Sequence, residues 1–145
     1  MRRLTPLAAA LAGLAASAGP AAADIRFEGR TSQGRQALLV AEDDGVPKRG
    51  AIWWRANCSE PGSTLTGATG FRRPLDLSTR RRIRDVGSYK TTTPDGERLT
   101  VFARTHGRKV GPRRWVGRFR ARIVARRGGR IVDRCAVRVR WRVRR

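Results

Sequence analysis

The side chains of this sequence that could do chemistry are mainly its arginines. The 145 residues include 30 Arg and 3 Lys against 11 Asp and Glu, so the formal net charge is +22. The basic groups gather late in the chain, because residues 102–145 hold 17 of them and one acid, Asp133. A guanidinium fork fits phosphate and carboxylate groups well. The composition therefore predicts an anionic partner.

The arginines near the end of the chain alternate with apolar residues. Along Val137–Val143 every second residue is Arg. A β-strand puts the apolar set on one face and the arginines on the other, whereas a helix would scatter both around its axis. Residues 115–126 follow a similar pattern. The sequence thus predicts a polyanion-binding strand face formed by Arg118, Arg120, Arg122, Arg138, Arg140 and Arg142.

The register of this last hairpin follows from its pattern. A three-residue loop at Gly128–Arg130 places Phe119 opposite Val139 on one face and Arg118 opposite Arg140 on the other. A two-residue loop would place apolar residues of one strand on the same face as arginines of the other. Like charges directly opposite each other destabilise a sheet by a few tenths of a kcal/mol. Such a face is easier to understand if it meets an anion.

Several anionic partners fit such a face: teichoic acid, an anionic lipid surface, an acidic polysaccharide or extracellular nucleic acid. No zinc-finger, helix-turn-helix or RNA-binding signature is present, so base-specific recognition is not expected. The alternative is an exported protein-interaction or structural domain whose charge is incidental, since high net charge also keeps a protein soluble.

A small secreted nuclease is the third candidate, and the sequence argues against it. Such chemistry needs a general base and a general acid near a stabilised phosphate. Glu97 and His106 flank the predicted strand Leu99–Thr105, which separates them by roughly 27 Å if it is extended. No hydrolase, metalloprotease or phosphate-loop motif occurs. We therefore expect no enzyme activity, no cofactor and no metal site.

The first 23 residues have the order of a secretory signal peptide. Arg2 and Arg3 precede an apolar stretch rich in Ala and Leu, and small residues end at Ala23. This order predicts cleavage between Ala23 and Asp24, and a secreted or extracytoplasmic mature chain of residues 24–145. No apolar run is long enough to predict a membrane span in the mature chain.

The two cysteines are predicted to form a disulfide, because exported proteins fold in an oxidising compartment. Cys58 and Cys135 each share parity with apolar neighbours, so both should point towards the core. A disulfide that closes a loop of about 78 residues stabilises the fold by about 4.5 kcal/mol in the chain-entropy model. The alternative is two free thiols that serve as a nucleophile or as metal ligands, and only His106 could join them.

The mature sequence predicts one all-β domain at residues 24–145. About eight short strands, with period-two alternation and turns marked by Gly, Pro and Asp, favour an antiparallel β-sandwich or jelly-roll-like domain with one inter-sheet disulfide. Residues Ser78–Asp85 are predicted to form a loop or one helical turn, and His106–Arg114 a loop. Trp53 has the outward parity, so it could be an exposed aromatic that stacks on a sugar ring.

The mature sequence resembles a loose group of small secreted bacterial proteins. It opens with the pattern F-x-G-x-T-x-x-G at Phe27–Gly34, continues with Gly70–Leu75, and has one mid-chain cysteine and a second before a tryptophan and a basic end. The group has a predicted β-sandwich fold and no assigned activity. The resemblance implies a fold and a compartment, and it carries over no catalytic residues.

Overall fold

A computed structural model of the chain describes residues 23–42, 44–72 and 80–145, and these residues form an all-β domain. The strands are β1 (Ile25–Thr31), β2 (Gln36–Ala41), β3 (Pro47–Cys58), β4 (Thr64–Arg72), β5 (Arg82–Thr92), β6 (Arg98–Gly111), β7 (Arg114–Arg127) and β8 (Arg130–Arg144). Residues 1–22 of the predicted signal peptide lie outside the described residues. Leu75 and Leu77, whose alternation after Pro74 predicts a further short strand, also lie outside the described residues.

All eight strands belong to one antiparallel sheet with the order β4-β3-β2-β1-β8-β7-β6-β5. The sheet curls on itself, because the end of β3 also pairs with β8. The outermost strands, β4 and β5, meet through side chains: the Tyr89 hydroxyl and Thr69 Oγ1 are 2.9 Å apart. Thr69 Oγ1 also accepts a hydrogen bond from Trp54 Nε1 at 3.0 Å.

The curled sheet encloses one hydrophobic core. Every strand sends alternate side chains into it, as the period-two patterns require. Trp115 and Phe119 on β7 are fully buried, and the apolar residues of Val137–Val143 are buried along β8. The intervening arginines of β8 are exposed. The alternation seen in the sequence therefore does separate an apolar inner face from a cationic outer face.

The all-β class, the strand number and the disulfide are confirmed. Cys58 and Cys135 are bonded to each other and lie directly opposite on β3 and β8. The sequence predicted a bridge between two sheets, whereas the bridge joins neighbouring strands of a single curled sheet. Parity showed only that both cysteines face inward, and one curled sheet satisfies that condition as well as two stacked sheets do.

The predicted register of the last hairpin is confirmed, although its turn differs. Phe119 pairs with Val139, and Arg118 pairs with Arg140. The turn has two residues, Gly128 and Gly129, with φ values of 56° and 81°; such positive angles suit the tight hairpin turns that glycine favours. A bulge where β7 passes from Ala125 to Arg126 then restores the predicted pairing.

Two local predictions were wrong. The predicted loop at His106–Arg114 is mostly strand, because β6 runs to Gly111 and β7 starts at Arg114. The part of Ser78–Asp85 that the structure describes is a turn followed by β5. Of the β5 residues that share the parity of buried Ile83, Asp85 is only half-buried and Gly87 is exposed. At the ends of the sheet the apolar alternation therefore becomes too weak to indicate a strand.

Within the described ranges, no helix is long and apolar enough to span a lipid bilayer.

Candidate anion-binding site

A cleft of about 810 Å³ crosses the outer face of strands β5 to β8 and reaches β1. Two rows of outward side chains form its walls, each row running across the strands. We call the first the outer row, because it is nearer the β6–β7 turn. Its members lie side by side on paired strands and are Arg82, Arg108, Val116, Arg142 and Arg30. The second we call the inner row; its members are His106, Arg118 and Arg140, which line the cleft, and Arg84, which continues the row beside it.

The floor of the cleft is backbone. Gly107, Gly117 and Trp141 pair with one another between the two rows, on β6, β7 and β8. The indole of Trp141 lies along the inner side of the two glycines: a Cβ on Gly107 would lie 2.6 Å from Trp141 Cη2. A Cβ on Gly117 would collide with the same indole and with the carbonyl of His106. Both positions therefore require glycine.

The cleft is strongly cationic. Six arginines and His106 line it, and no acidic residue does so among the described residues. The ion pairs of the described ranges lie elsewhere: Arg26 with Glu28, Lys48 with Asp44, Arg49 with Asp24, and Arg127 with Glu97. The charge of the cleft is thus available to an anion. One guanidinium is partly engaged, since Arg30 donates a hydrogen bond of 2.7 Å to the carbonyl of Gly34.

His106 is the histidine that lines the cleft. It lies on β6 between Arg84 of β5 and Arg118 of β7. Desolvation by its surroundings and the charges of Arg84, Arg104 and Arg120 lower the pKa of His106 below its usual value of 6.5. An anion bound in the cleft would offset those charges and raise the pKa again. Binding of an anion there would therefore be coupled to proton uptake by His106.

The structure places all six predicted arginines on one exposed face, in three groups. Arg118, Arg140 and Arg142 line the cleft. Arg120 and Arg138 are paired with each other in the next row, which Arg104 completes. We call these last three residues the arginine row. The sixth, Arg122, is one row further along β7, opposite Phe102.

Sequence reasoning missed three arginines that line the cleft. Arg30 comes from β1, which pairs with the end of β8. Arg82 and Arg108 come from β5 and from the part of β6 predicted to be a loop. The alternation of Arg30 with Phe27 and Gly29 indicated that it points outward. No pattern indicated that β1 would lie beside β8.

Two other sites proposed from the sequence lie away from the cleft. Trp53 faces outward from β3 opposite Ala68 and is partly buried. Glu97 forms an ion pair of 2.8 Å with Arg127, next to the turn before β6. It is nine residues from His106 along that strand, so the structure does not bring the two nuclease candidates together.

One group of metal-type ligands occurs in the described part of the chain. The side chains of Cys58, Asp133 and Cys135 lie within 4.8 Å of one another. The two sulfurs are bonded to each other. Asp133 Oδ1 accepts hydrogen bonds from the backbone N–H groups of Ser59 at 3.0 Å and Arg134 at 2.7 Å. These contacts give the carboxylate a structural role, in which it holds the start of the β3–β4 turn against β8.

No protein-family model matches the chain, and neither a curated protein nor a solved structure is similar to it. The resemblance to small secreted bacterial proteins therefore stays a prediction. The arguments about function rest on the geometry of the cationic face.

Proposed function

We propose that this is a secreted, non-enzymatic protein that binds an anionic polymer through the cleft. The observation that carries the proposal is the cleft itself, which is lined by six arginines and a histidine and by no acid of the described residues. Arginine forks bind phosphate, sulfate or carboxylate groups with two parallel hydrogen bonds.

The electrostatic repulsion between arginines on neighbouring strands supports the proposal. Arg118 lies opposite Arg140, and Arg120 lies between Arg104 and Arg138. Each such pair of like charges weakens the sheet by a few tenths of a kcal/mol. Solubility alone would be served as well by arginines spread over the surface. A bound polyanion would neutralise the charges of each row and so remove the repulsion between its arginines.

The disulfide supports the proposed location. A cysteine pair bonded across β3 and β8 is stable in an oxidising compartment and rare in the reducing cytosol. It agrees with the secretory signal predicted for residues 1–23. The accessible anionic polymers outside a cell include teichoic acid, acidic polysaccharide, anionic lipid surfaces and nucleic acid.

The test compares two triple variants of the disulfide-bonded protein. Changing Arg118, Arg140 and Arg142 to Gln removes three charges from the cleft. The control changes Arg26, Arg49 and Arg55 to Gln, which removes three exposed charges from β1 and β3. Binding to heparin, teichoic acid and a single-stranded oligonucleotide is measured over a salt series.

We expect the unchanged protein to bind with a log–log salt slope of about −4 on the single strand, as six phosphate contacts predict. The cleft variant should lose about half of that slope, and the control should keep nearly all of it. Equal losses in the two variants would show that only net charge matters. The charge would then be incidental, and the partner should be sought among proteins.

A further inference from the structure

The aromatic side chain with the greatest exposure on the cationic face is Phe102. It points outward from β6 and is 52% exposed, whereas the other three phenylalanines, Phe27, Phe71 and Phe119, are buried. Arg122 lies directly opposite it on β7. An exposed phenyl ring beside a guanidinium gains nothing from the core and loses contact with apolar neighbours. The exposed ring is therefore accessible to a bound partner.

Phe102 and the cleft belong to one continuous surface. Along β6, Arg104 and His106 follow Phe102 with the same outward orientation. The separation from Phe102 to His106 is roughly 14 Å at the rise of an extended strand. The arginine row of Arg104, Arg120 and Arg138 fills the space between them. A flexible anionic chain that leaves the cleft can follow cationic groups as far as the ring.

A second apolar residue widens the surface at this point. Val86 on β5 is 55% exposed and pairs with Arg104. Ser88, the next outward residue of β5, pairs with Phe102. Val86 is thus diagonal to the ring, and the two form a small apolar platform at the edge of the cationic face.

Resting on the proposed function, we propose that the anionic polymer is a single-stranded nucleic acid. Its phosphates lie in the cleft and along the arginine row, and one of its bases stacks on Phe102. Positive grooves beside exposed aromatic rings are the usual means of binding single strands without sequence preference. In a duplex the bases are already stacked, so the ring distinguishes single strands from double strands.

The other polyanions use only part of this surface. Acidic polysaccharide and teichoic acid carry charge but no aromatic ring, so they gain nothing from Phe102. A lipid bilayer presents a broad surface, which cannot enter the cleft between the outer and inner rows. Single-stranded nucleic acid is the one candidate that engages the cleft, the arginine row and the ring together.

The experiment compares an oligomer of dT with an abasic oligomer of the same length. The two carry the same number of phosphates and differ in their bases. The disulfide-bonded protein is measured beside Phe102→Ala and Phe102→Trp. Ile131→Ala is the matched control, since it removes an exposed apolar side chain at the β7–β8 turn.

We expect the protein to prefer dT to the abasic oligomer by about tenfold, the change that one lost stack causes. Phe102→Ala should abolish the preference and leave abasic binding unchanged. Phe102→Trp should retain it, and Ile131→Ala should have no effect. Phe102 and Ile131 are each about half exposed, so the two alanine variants should show similarly small shifts in thermal unfolding, and loss of stacking is then separated from loss of folding.

Two results would overturn the inference while the proposed function stands. One is equal binding of dT and the abasic oligomer by the unchanged protein. The other is a Phe102→Ala variant that loses binding to anionic vesicles but keeps its preference for dT, which would assign the ring to a membrane. Failure to bind either oligomer, heparin or teichoic acid would refute the proposed function and the inference together.

Discussion

Surface charges are arranged differently in two parts of the sheet, β1 to β3 and β6 to β8. Around β1 to β3, exposed basic side chains stand beside acids, as Arg49 does with Asp24 at 2.6 Å. Across β6 to β8, arginines stand beside arginines, and the one ion pair described there, Arg127 with Glu97, is at the far end from the cleft. Residues 24–101 hold 14 basic and 10 acidic groups, whereas residues 102–145 hold 17 and one.

Both parts contribute to the same core, so the difference in charge does not come from the needs of folding. Paired surface charges contribute little to stability, typically up to about 1 kcal/mol each. Rows of like charge cost a similar amount. The fold keeps these rows on one side and ion pairs on the other, and our proposal assigns anion binding to the first side alone. The following experiments test this separation, from the largest expected effect to the smallest.

The largest effect is expected at the floor of the cleft. Gly117→Ala should lower the free energy of unfolding by about 1–3 kcal/mol, because the new methyl group must displace the indole of Trp141. Gly87→Ala is the control, since a Cβ there meets no atom within 4 Å. Urea unfolding of both variants measures the difference. If Gly117→Ala is as stable as Gly87→Ala, the glycine floor does not shape the cleft.

A smaller effect of opposite sign is expected in the arginine row. Arg120→Thr should raise the free energy of unfolding by about 0.2–1 kcal/mol at low salt, because it removes repulsion from Arg104 on one side and Arg138 on the other. Added salt should reduce the gain, since exposed charges are screened. Arg26→Thr, which removes the partner of Glu28, should give no gain. A stabilised Arg26→Thr would show that the two parts of the surface do not differ.

The smallest effect is a pH dependence carried by His106. Because the folded pKa is below 6.5, the unfolded chain takes up the proton first as pH falls. The contribution of His106 to folding stability is therefore present above pH 6.5 and decreases as pH falls through the window between 6.5 and the lower folded pKa. The arginines around it are Arg84, Arg104 and Arg120, whose charges lower its pKa, and its neighbours Arg118 and Arg108.

Polyanion binding should show the opposite trend. A bound anion favours protonated His106, so affinity should increase as pH falls below about 6.5. The slope should disappear in His106→Gln, which keeps a polar side chain at the site. Titrations with a dT oligomer without terminal phosphates measure it, since neither its phosphodiester groups nor its thymines change charge near pH 6.5. An identical pH dependence in His106→Gln would assign the effect to another group.

Local patterns were sufficient to predict much of the last two strands. The alternation of arginine with valine and tryptophan along β8 indicated which side chains would be buried, because a strand has only two faces. The same rule gave the register of the β7–β8 hairpin, although the actual turn reaches it through two glycines and a bulge. The inward parity of Cys58 and Cys135 was also correct. In each case neighbouring residues alone contain the information.

The candidate site could be predicted only in part, because its walls come from strands that are distant in the sequence. Arg118, Arg140 and Arg142 belong to one hairpin and could be recognised. Arg30 reaches the cleft through the pairing of β1 with β8. Arg82 reaches it through β5, whose inward face is too polar to indicate a strand.

The sequence by itself determined the chemistry of the surface: the types of side chain, their faces and the excess of arginine after residue 101. Only the tertiary structure decided which of those arginines share a cleft and that Phe102 joins the same surface. The physical reason is that pairing between distant strands depends on how the whole sheet curls around its core. That closure is a property of all eight strands together, and no single segment contains it.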